Sequence, residues 1–110
     1  MRKAPLTADK IQLLADWFKV LAEPARLEIL NRLRNGERTV TELVEQTRLG
    51  QANVSKHLKL LHAHGFVARR KEGVSVYYRL AASMDELCDI MTKQMNAQLA
   101  SRRRTLEASP

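Results

Sequence analysis

The sequence predicts a mainly α-helical domain with a small β-hairpin. Apolar residues recur at helical spacing in five segments, and two short runs of strand-forming residues lie between the fourth and fifth segments. The chain has 110 residues, of which 45% are hydrophobic and 28% are charged. These values are ordinary for a single globular domain and argue against extensive disorder. We therefore expect about five helices and a two-stranded hairpin.

End signals and apolar spacing predict the first three helices. Thr7 is the expected N-cap of a helix over residues 8–22. Pro24 suits the first turn of a second helix, which is predicted over 25–34. A short third helix is predicted over 39–47. The residues of the second helix that are expected to face the core are Leu27, Leu30 and Leu33.

A fourth helix and the hairpin follow a tight turn. The helix is predicted over 51–62, and the strands over 66–70 and 74–80 with a tip at 71–73. The core side of this helix is predicted to carry Val54, Leu58 and Leu61. One face of the second strand is predicted to carry Val74, Val76, Tyr78 and Leu80. Two helices joined by a tight turn and followed by a hairpin describe a winged helix-turn-helix.

These elements give a plan for the whole chain. A last helix is predicted over 84–103, and its apolar residues fall within about a third of its circumference. The expected plan is an N-terminal arm at 1–7, a winged helix-turn-helix domain at 8–104, with its helix-turn-helix at 39–63 and its wing at 66–80, and a flexible tail at 105–110.

The positive charge is concentrated in one part of the chain. The formal net charge is +7, and residues 48–79 hold seven Lys or Arg against one Glu, a net charge of +6. Clustered cations are what a surface that binds a polyanion requires, because they displace the counterions condensed on phosphates. Charge by itself does not distinguish DNA from RNA or from an anionic membrane. The helix-turn-helix pattern favours double-stranded DNA.

Two sets of residues are the candidate DNA contacts. The fourth helix can lie in the major groove, where amide and cationic side chains pair with base edges. Its outward or flanking residues are Gln51, Ala52, Asn53, Ser55, Lys56, His57 and Lys59. The hairpin adds three consecutive cations, which we expect to contact phosphates. They are Arg69, Arg70 and Lys71.

Four stretches of sequence carry a family pattern. They read FKVLAEPARLEIL at 18–30, QANVSKHLKLL at 51–61, GFV at 65–67 and VYYRL at 76–80. In order and spacing they resemble the ArsR/SmtB family of bacterial repressors, over most of residues 8–100. The resemblance implies a homodimer that binds a palindromic operator, with its recognition helices one DNA turn apart.

The resemblance also implies that the helices at 8–22 and 84–103 form the dimer. The apolar surface of the first helix independently indicates a partner, because it covers roughly half of the circumference, more than one core contact needs. The expected interface residues on the two helices are Leu13, Trp17, Val20, Leu87, Cys88, Met91 and Met95.

The chain departs from the metal-sensing members of that family. Arsenite sensors often carry Cys-x-Cys in the third helix, where this chain has Thr39 and Thr41, and a hydroxyl is a poor ligand for a soft metal. Zinc and nickel sensors use carboxylates and histidine on the last helix, and this helix has no histidine. Gly50 stands at a cap position where the family usually has Ser. We expect no metal site and no cofactor.

Other functions are set aside or left open. No nucleophile–base pair, phosphate loop or membrane-length apolar run is present, so we expect neither an enzyme nor a membrane protein, and a cytoplasmic location. Cys88 is either a small buried hydrophobe or a thiol sensor that meets its two-fold mate. A non-specific architectural DNA- or RNA-binding protein is the alternative from another class. An unknown small-molecule effector also remains open.

Overall fold

The elements of the fold follow the predicted order, with one addition. The computed structural model describes residues 2–108. Within them lie the helices α1 (Ala8–Leu21), α2 (Pro24–Arg32), α3 (Val40–Thr47), α4 (Gln51–Ala63) and α5 (Ala82–Ala108), and the strands β1 (Arg38–Thr39), β2 (Val67–Glu72) and β3 (Ser75–Leu80). The chain divides into two compact units, the first ending at Leu80 and the second starting at Ala81. The predicted five helices and hairpin are confirmed.

The helix-turn-helix and the helices before it share one core in the first unit. The three core positions predicted for α4 are confirmed, since Val54, Leu58 and Leu61 have no exposed surface. The other buried apolar residues of this unit are Ile29, Leu30, Leu33, Leu43, Phe66 and Val67. Burial of this inner face fixes which side of α4 is left open to solvent.

In α2, the predicted core position Leu27 is wrong. Its side chain is 49% exposed, whereas Ile29 is fully buried. At 3.6 residues per turn, Leu27 lies roughly 110° from the centre of the face that Ile29, Leu30 and Leu33 form. The helix also ends at Arg32, two residues before its predicted end.

The sheet has three strands where two were predicted. β3 is central, with β1 and β2 antiparallel on either side. In β1, Thr39 lies opposite Tyr77 and is also the N-cap of α3. Its hydroxyl accepts from the Glu42 backbone N–H, and the Glu42 carboxylate accepts from the Thr39 backbone N–H. A two-residue strand that immediately enters a helix carries no periodicity that sequence reading can detect.

The hairpin closes two residues later than predicted. Glu72 pairs with Ser75, so the turn consists of Gly73 and Val74 and not of residues 71–73. Gly73 has φ +61°, a conformation that glycine adopts at low cost at the first position of a tight hairpin turn. Val74 is consequently 100% exposed at the tip and does not share a face with Val76. The predicted wing cations therefore lie within β2 and not at its tip.

The second unit is one helix, α5, which is longer than predicted. It covers Ala82–Ala108, so residues 105–108 are helical where a flexible tail was expected. Good helix formers continue through this segment, and Thr105 donates a hydrogen bond to the Ser101 carbonyl. Met1 of the expected arm and Ser109 and Pro110 of the expected tail lie outside the described residues. The exposed apolar side chains of α5 are Ile90, Met91, Met95, Leu99 and Leu106.

Candidate nucleic-acid interface

The polar residues of α4 form an open face opposite its buried face. The structure leaves six of the seven predicted contact residues exposed, namely Gln51, Ala52, Asn53, Ser55, Lys56 and Lys59. Amide, hydroxyl and ammonium groups on one exposed helix face are the groups that pair with base edges and phosphates. Because the buried apolar face anchors α4 in the core, the exposed side chains project from a helix whose orientation is fixed.

A strained turn joins α3 to α4. Arg48 has φ +60°, the only non-glycine residue with positive φ among residues 2–108, and this left-handed conformation costs roughly 1–2 kcal/mol. The Thr47 hydroxyl holds the turn, donating to the Leu43 carbonyl at 2.6 Å and accepting from the Leu49 backbone N–H at 3.3 Å. Arg48 is exposed. Sequence reasoning did not assign Arg48 to the site, although it places a cation three residues before the start of α4.

Gly50 is the N-cap of α4 and supplies no side-chain hydrogen bond to it. Its φ of −64° suits any residue, and a Cβ there would have no heavy atom within 4 Å. We therefore expect Gly50→Ser to be more stable than Gly50→Ala by about 1 kcal/mol, because serine caps the free N–H groups and alanine does not. Urea unfolding at one protein concentration measures the difference. Equal midpoints for the two variants would contradict a capping role at residue 50.

His57 is the predicted contact residue that does not lie on the open face. It is half-buried, and its Nδ1 lies 3.4 Å from Nη1 of Arg26 in α2. Burial lowers the pKa of His57, and the Arg26 charge lowers it further, while Glu23 acts in the opposite direction. Burial and the Arg26 charge thus favour the neutral form of the ring, which is held against α2.

The three predicted wing cations are not equivalent. Arg70 Nε lies 2.8 Å from a Glu37 carboxylate oxygen, and Nη1 lies 2.7 Å from one of Glu72. The guanidinium also stacks 4.5 Å from the centre of the Tyr77 ring. The hydrogen bonds that Arg70 donates to the carboxylates of Glu72 and then Glu37 raise the pKa of Arg70. Arg69, Arg70 and Lys71 are all exposed, so what distinguishes Arg70 is its two carboxylate partners.

The hairpin of β2 and β3 follows α4 closely. The Phe66 backbone N–H donates to the Leu61 carbonyl at 3.0 Å, and Gly65 between them has φ +75°. This connection fixes where β2 starts relative to the end of α4. The first unit therefore holds the polar face of α4 and the wing cations on directly connected elements.

Two further searches concern metals and membranes. Among residues 2–108, no three His, Cys, Asp or Glu side chains are grouped closely enough to hold a metal ion. Within the same range, no helix combines the length and the apolar character that crossing a membrane requires.

Comparisons with known proteins give consistent similarities. Residues 23–69 match the sequence profile described as "Bacterial regulatory protein, arsR family". The chain is 38% identical over 78 residues to the HTH-type transcriptional repressor SmtB of Mycobacterium tuberculosis, a match that covers 71% of this chain and 58% of that protein. The chain thus spans little more than half the length of this relative.

Two solved structures are similar over nearly their whole length. The crystal structure of M. tuberculosis Rv0081 has a TM-score of 0.80 and 35% identity, and the match covers 87% of this chain and 98% of that one. A solution structure from Mycobacterium bovis is described as the homodimeric winged helix-turn-helix DNA-binding domain of Mb0332, a possible ArsR-family transcriptional regulator. Its TM-score is 0.75 at 32% identity, and the match covers 88% of this chain and 94% of that one.

Proposed function

Because the chain belongs to the ArsR/SmtB family of winged helix-turn-helix, DNA-binding transcriptional regulators, we propose that it is a homodimeric repressor that binds a palindromic operator. The observation that carries this proposal is the exposed polar face of α4, which lies opposite a fully buried apolar face. A platform of this kind presents a recognition helix to the major groove.

Within this proposal, the elements have different tasks. Side chains on the open face of α4 read base edges, with Asn53 pairing with adenine and Lys56 reaching guanine. Arg69 and Lys71 on β2, together with Arg48 in the turn, contact phosphates and so fix the orientation of the protein on the duplex. Arg70 contributes less to phosphate binding, because its charge is already paired with the carboxylates of Glu37 and Glu72.

The exposed apolar surfaces of α1 and α5 support the homodimer. On α1, Leu13 and Trp17 are exposed, and on α5, Met91 and Met95 are exposed. Val20, Leu87 and Cys88 complete the proposed interface and are half-buried in the single chain. Apolar surface of this extent indicates a partner, and a two-fold dimer matches a two-fold DNA site.

Selection from a random pool of DNA duplexes tests the proposed function. We expect the recovered sequences to share a palindrome whose half-sites are one helical turn apart, bound several decades more tightly than random DNA. Repeating the selection with zinc, with peroxide and with reductant tests whether a metal or a thiol modulates binding. Strong salt-dependent binding without a shared sequence would instead support a non-specific architectural protein.

Removing the proposed base-reading side chains should reduce discrimination. We expect Asn53→Ala or Lys56→Ala to lose about 1–3 kcal/mol of the difference between the selected duplex and random DNA. Fluorescence anisotropy with both duplexes measures that difference. The matched controls are Asn96→Ala and Lys93→Ala, which remove the same residue types from exposed positions of α5. If the α4 variants weaken both duplexes equally, α4 does not read the bases.

A further inference from the structure

Arg26 of α2 contacts two other helices through one side chain. Its Nε donates to the Val20 carbonyl near the end of α1, and its Nη1 lies 3.4 Å from Nδ1 of His57 in α4. Arg26 and His57 are both half-buried. A single guanidinium therefore joins the helix proposed for dimerisation to the helix proposed for reading DNA.

The local sequence explains why the Val20 carbonyl is available. In a helix, this carbonyl would accept from the backbone N–H four residues later. That residue is Pro24, which has no N–H. The guanidinium of Arg26 takes the place of the missing donor, so the Glu23-Pro24 break that ends α1 also creates the anchor for Arg26.

The contact with His57 depends on the protonation of the imidazole. Arg26 has only donors, so Nδ1 of His57 must carry a lone pair, with the proton on Nε2. Protonation of Nδ1 removes the acceptor and places a second cation beside Arg26. The charged groups around the ring are Arg26 from α2, Glu23 from the α1–α2 junction and Lys56 from α4 itself.

A second contact joins α1 to the end of α4. The Trp17 ring meets the Phe66 ring edge-on, with centroids 6.0 Å apart. The Phe66 ring also stacks on the ring of His64, the C-cap of α4, with centroids 5.8 Å apart. Nδ1 of His64 lies 2.9 Å from the Leu60 carbonyl. The middle and the end of α4 are thus both connected to α1.

We propose that Arg26 and His57 are positioning residues for operator recognition, which hold α4 in a fixed orientation relative to the end of α1. They act through the helix and not through a DNA contact of their own. The inference rests on the proposed function. As a consequence of this arrangement, operator preference weakens when His57 takes up a proton.

The test is the ratio of affinity for the selected duplex to affinity for a scrambled duplex, measured between pH 7.5 and pH 5.0. We expect this ratio to fall about tenfold in the wild-type protein as pH decreases below about 6.5, since a hydrogen bond to a charged group is lost. His57→Gln keeps an acceptor that does not titrate, so its ratio should change less than about twofold. His62→Gln, an exposed change on the same helix, should retain the wild-type pH profile.

Arg26 is tested by a mild and a severe substitution. Arg26→Lys keeps the positive charge but loses the planar guanidinium that reaches both Val20 and His57, and Arg26→Ala removes the charge and both contacts. At pH 7.5 we expect Arg26→Lys, Arg26→Ala and His57→Ala each to lower the ratio by about tenfold, and Arg26→Ala combined with His57→Ala to be less than about twofold worse than Arg26→Ala. Circular dichroism confirms that the variants compared are folded, and Arg26→Lys serves if Arg26→Ala does not fold.

The outcomes separate this inference from the proposed function. A wild-type pH profile in His57→Gln, or full additivity of the Arg26→Ala and His57→Ala substitutions, overturns the positioning role while operator binding stands. A wild-type protein without any preference for a selected duplex overturns the proposed function and this inference with it. A pH-dependent ratio that His57→Gln abolishes supports both.

Discussion

Raising the salt concentration from 50 to 200 mM is expected to weaken operator binding by roughly 10³- to 10⁵-fold. That range applies to a protein that neutralises about 6–10 phosphates. Residues 48–79 carry seven Lys or Arg against one Glu in each protomer, and a dimer presents this set twice. Anisotropy titrations at several salt concentrations give the slope of log K against log salt, which reports the number of phosphates contacted.

The salt slope also separates the wing cations. We expect Arg69→Ala to reduce the slope by about one per protomer. Arg70→Ala should reduce it by less, because Glu37 and Glu72 already offset the charge of Arg70. Equal reductions by the two substitutions would mean that Arg70 leaves both carboxylates when DNA binds.

Truncation of Leu58 is expected to cost about 2–5 kcal/mol of the free energy of unfolding. Leu58 is 0% exposed in α4, and its truncation leaves a cavity beneath this helix. The matched control is Leu27→Ala, because Leu27 is 49% exposed and its truncation should cost less than about 1 kcal/mol. Urea denaturation at one protein concentration measures both, since dimerisation makes stability depend on concentration.

The comparison of these two leucines has a clear failing outcome. If Leu27→Ala destabilises the protein as much as Leu58→Ala, then Leu27 is buried in solution. The position of α2 against α4 would then differ from the one described above. A large cost confined to Leu58 supports the observed orientation of α4.

The parts of the fold that sequence reading predicted well are those with long, regular patterns. The inner face of α4 was predicted because Val54, Leu58 and Leu61 follow helical spacing over two turns, and all three are fully buried. Leu27 was misplaced because a spacing of three residues drifts around a helix of 3.6 residues per turn. The two-residue strand β1 has no pattern of its own, since its pairing with β3 is a long-range contact.

The candidate site was predictable as a set of residues but not as a set of contacts. Periodicity separated the open face of α4 from its core face, and charge counting found the wing. The engagement of Arg70 depends on Glu37, 33 residues earlier, and that of His57 depends on Arg26, 31 residues earlier. Only folding brings such pairs together, although Pro24 offered a local signal that the Val20 carbonyl needs another donor.

Thr39 restricts where residues can be inserted into this domain, in evolution or by engineering. It pairs with Tyr77 of β3 and also caps α3, so inserting one residue just before it would shift the strand register or remove the cap. The turn at Gly73 and Val74 does not combine two structural roles in this way, and Val74 is fully exposed to solvent. Homologous chains should therefore differ in length at the wing tip, and a peptide tag grafted there should leave the helices intact.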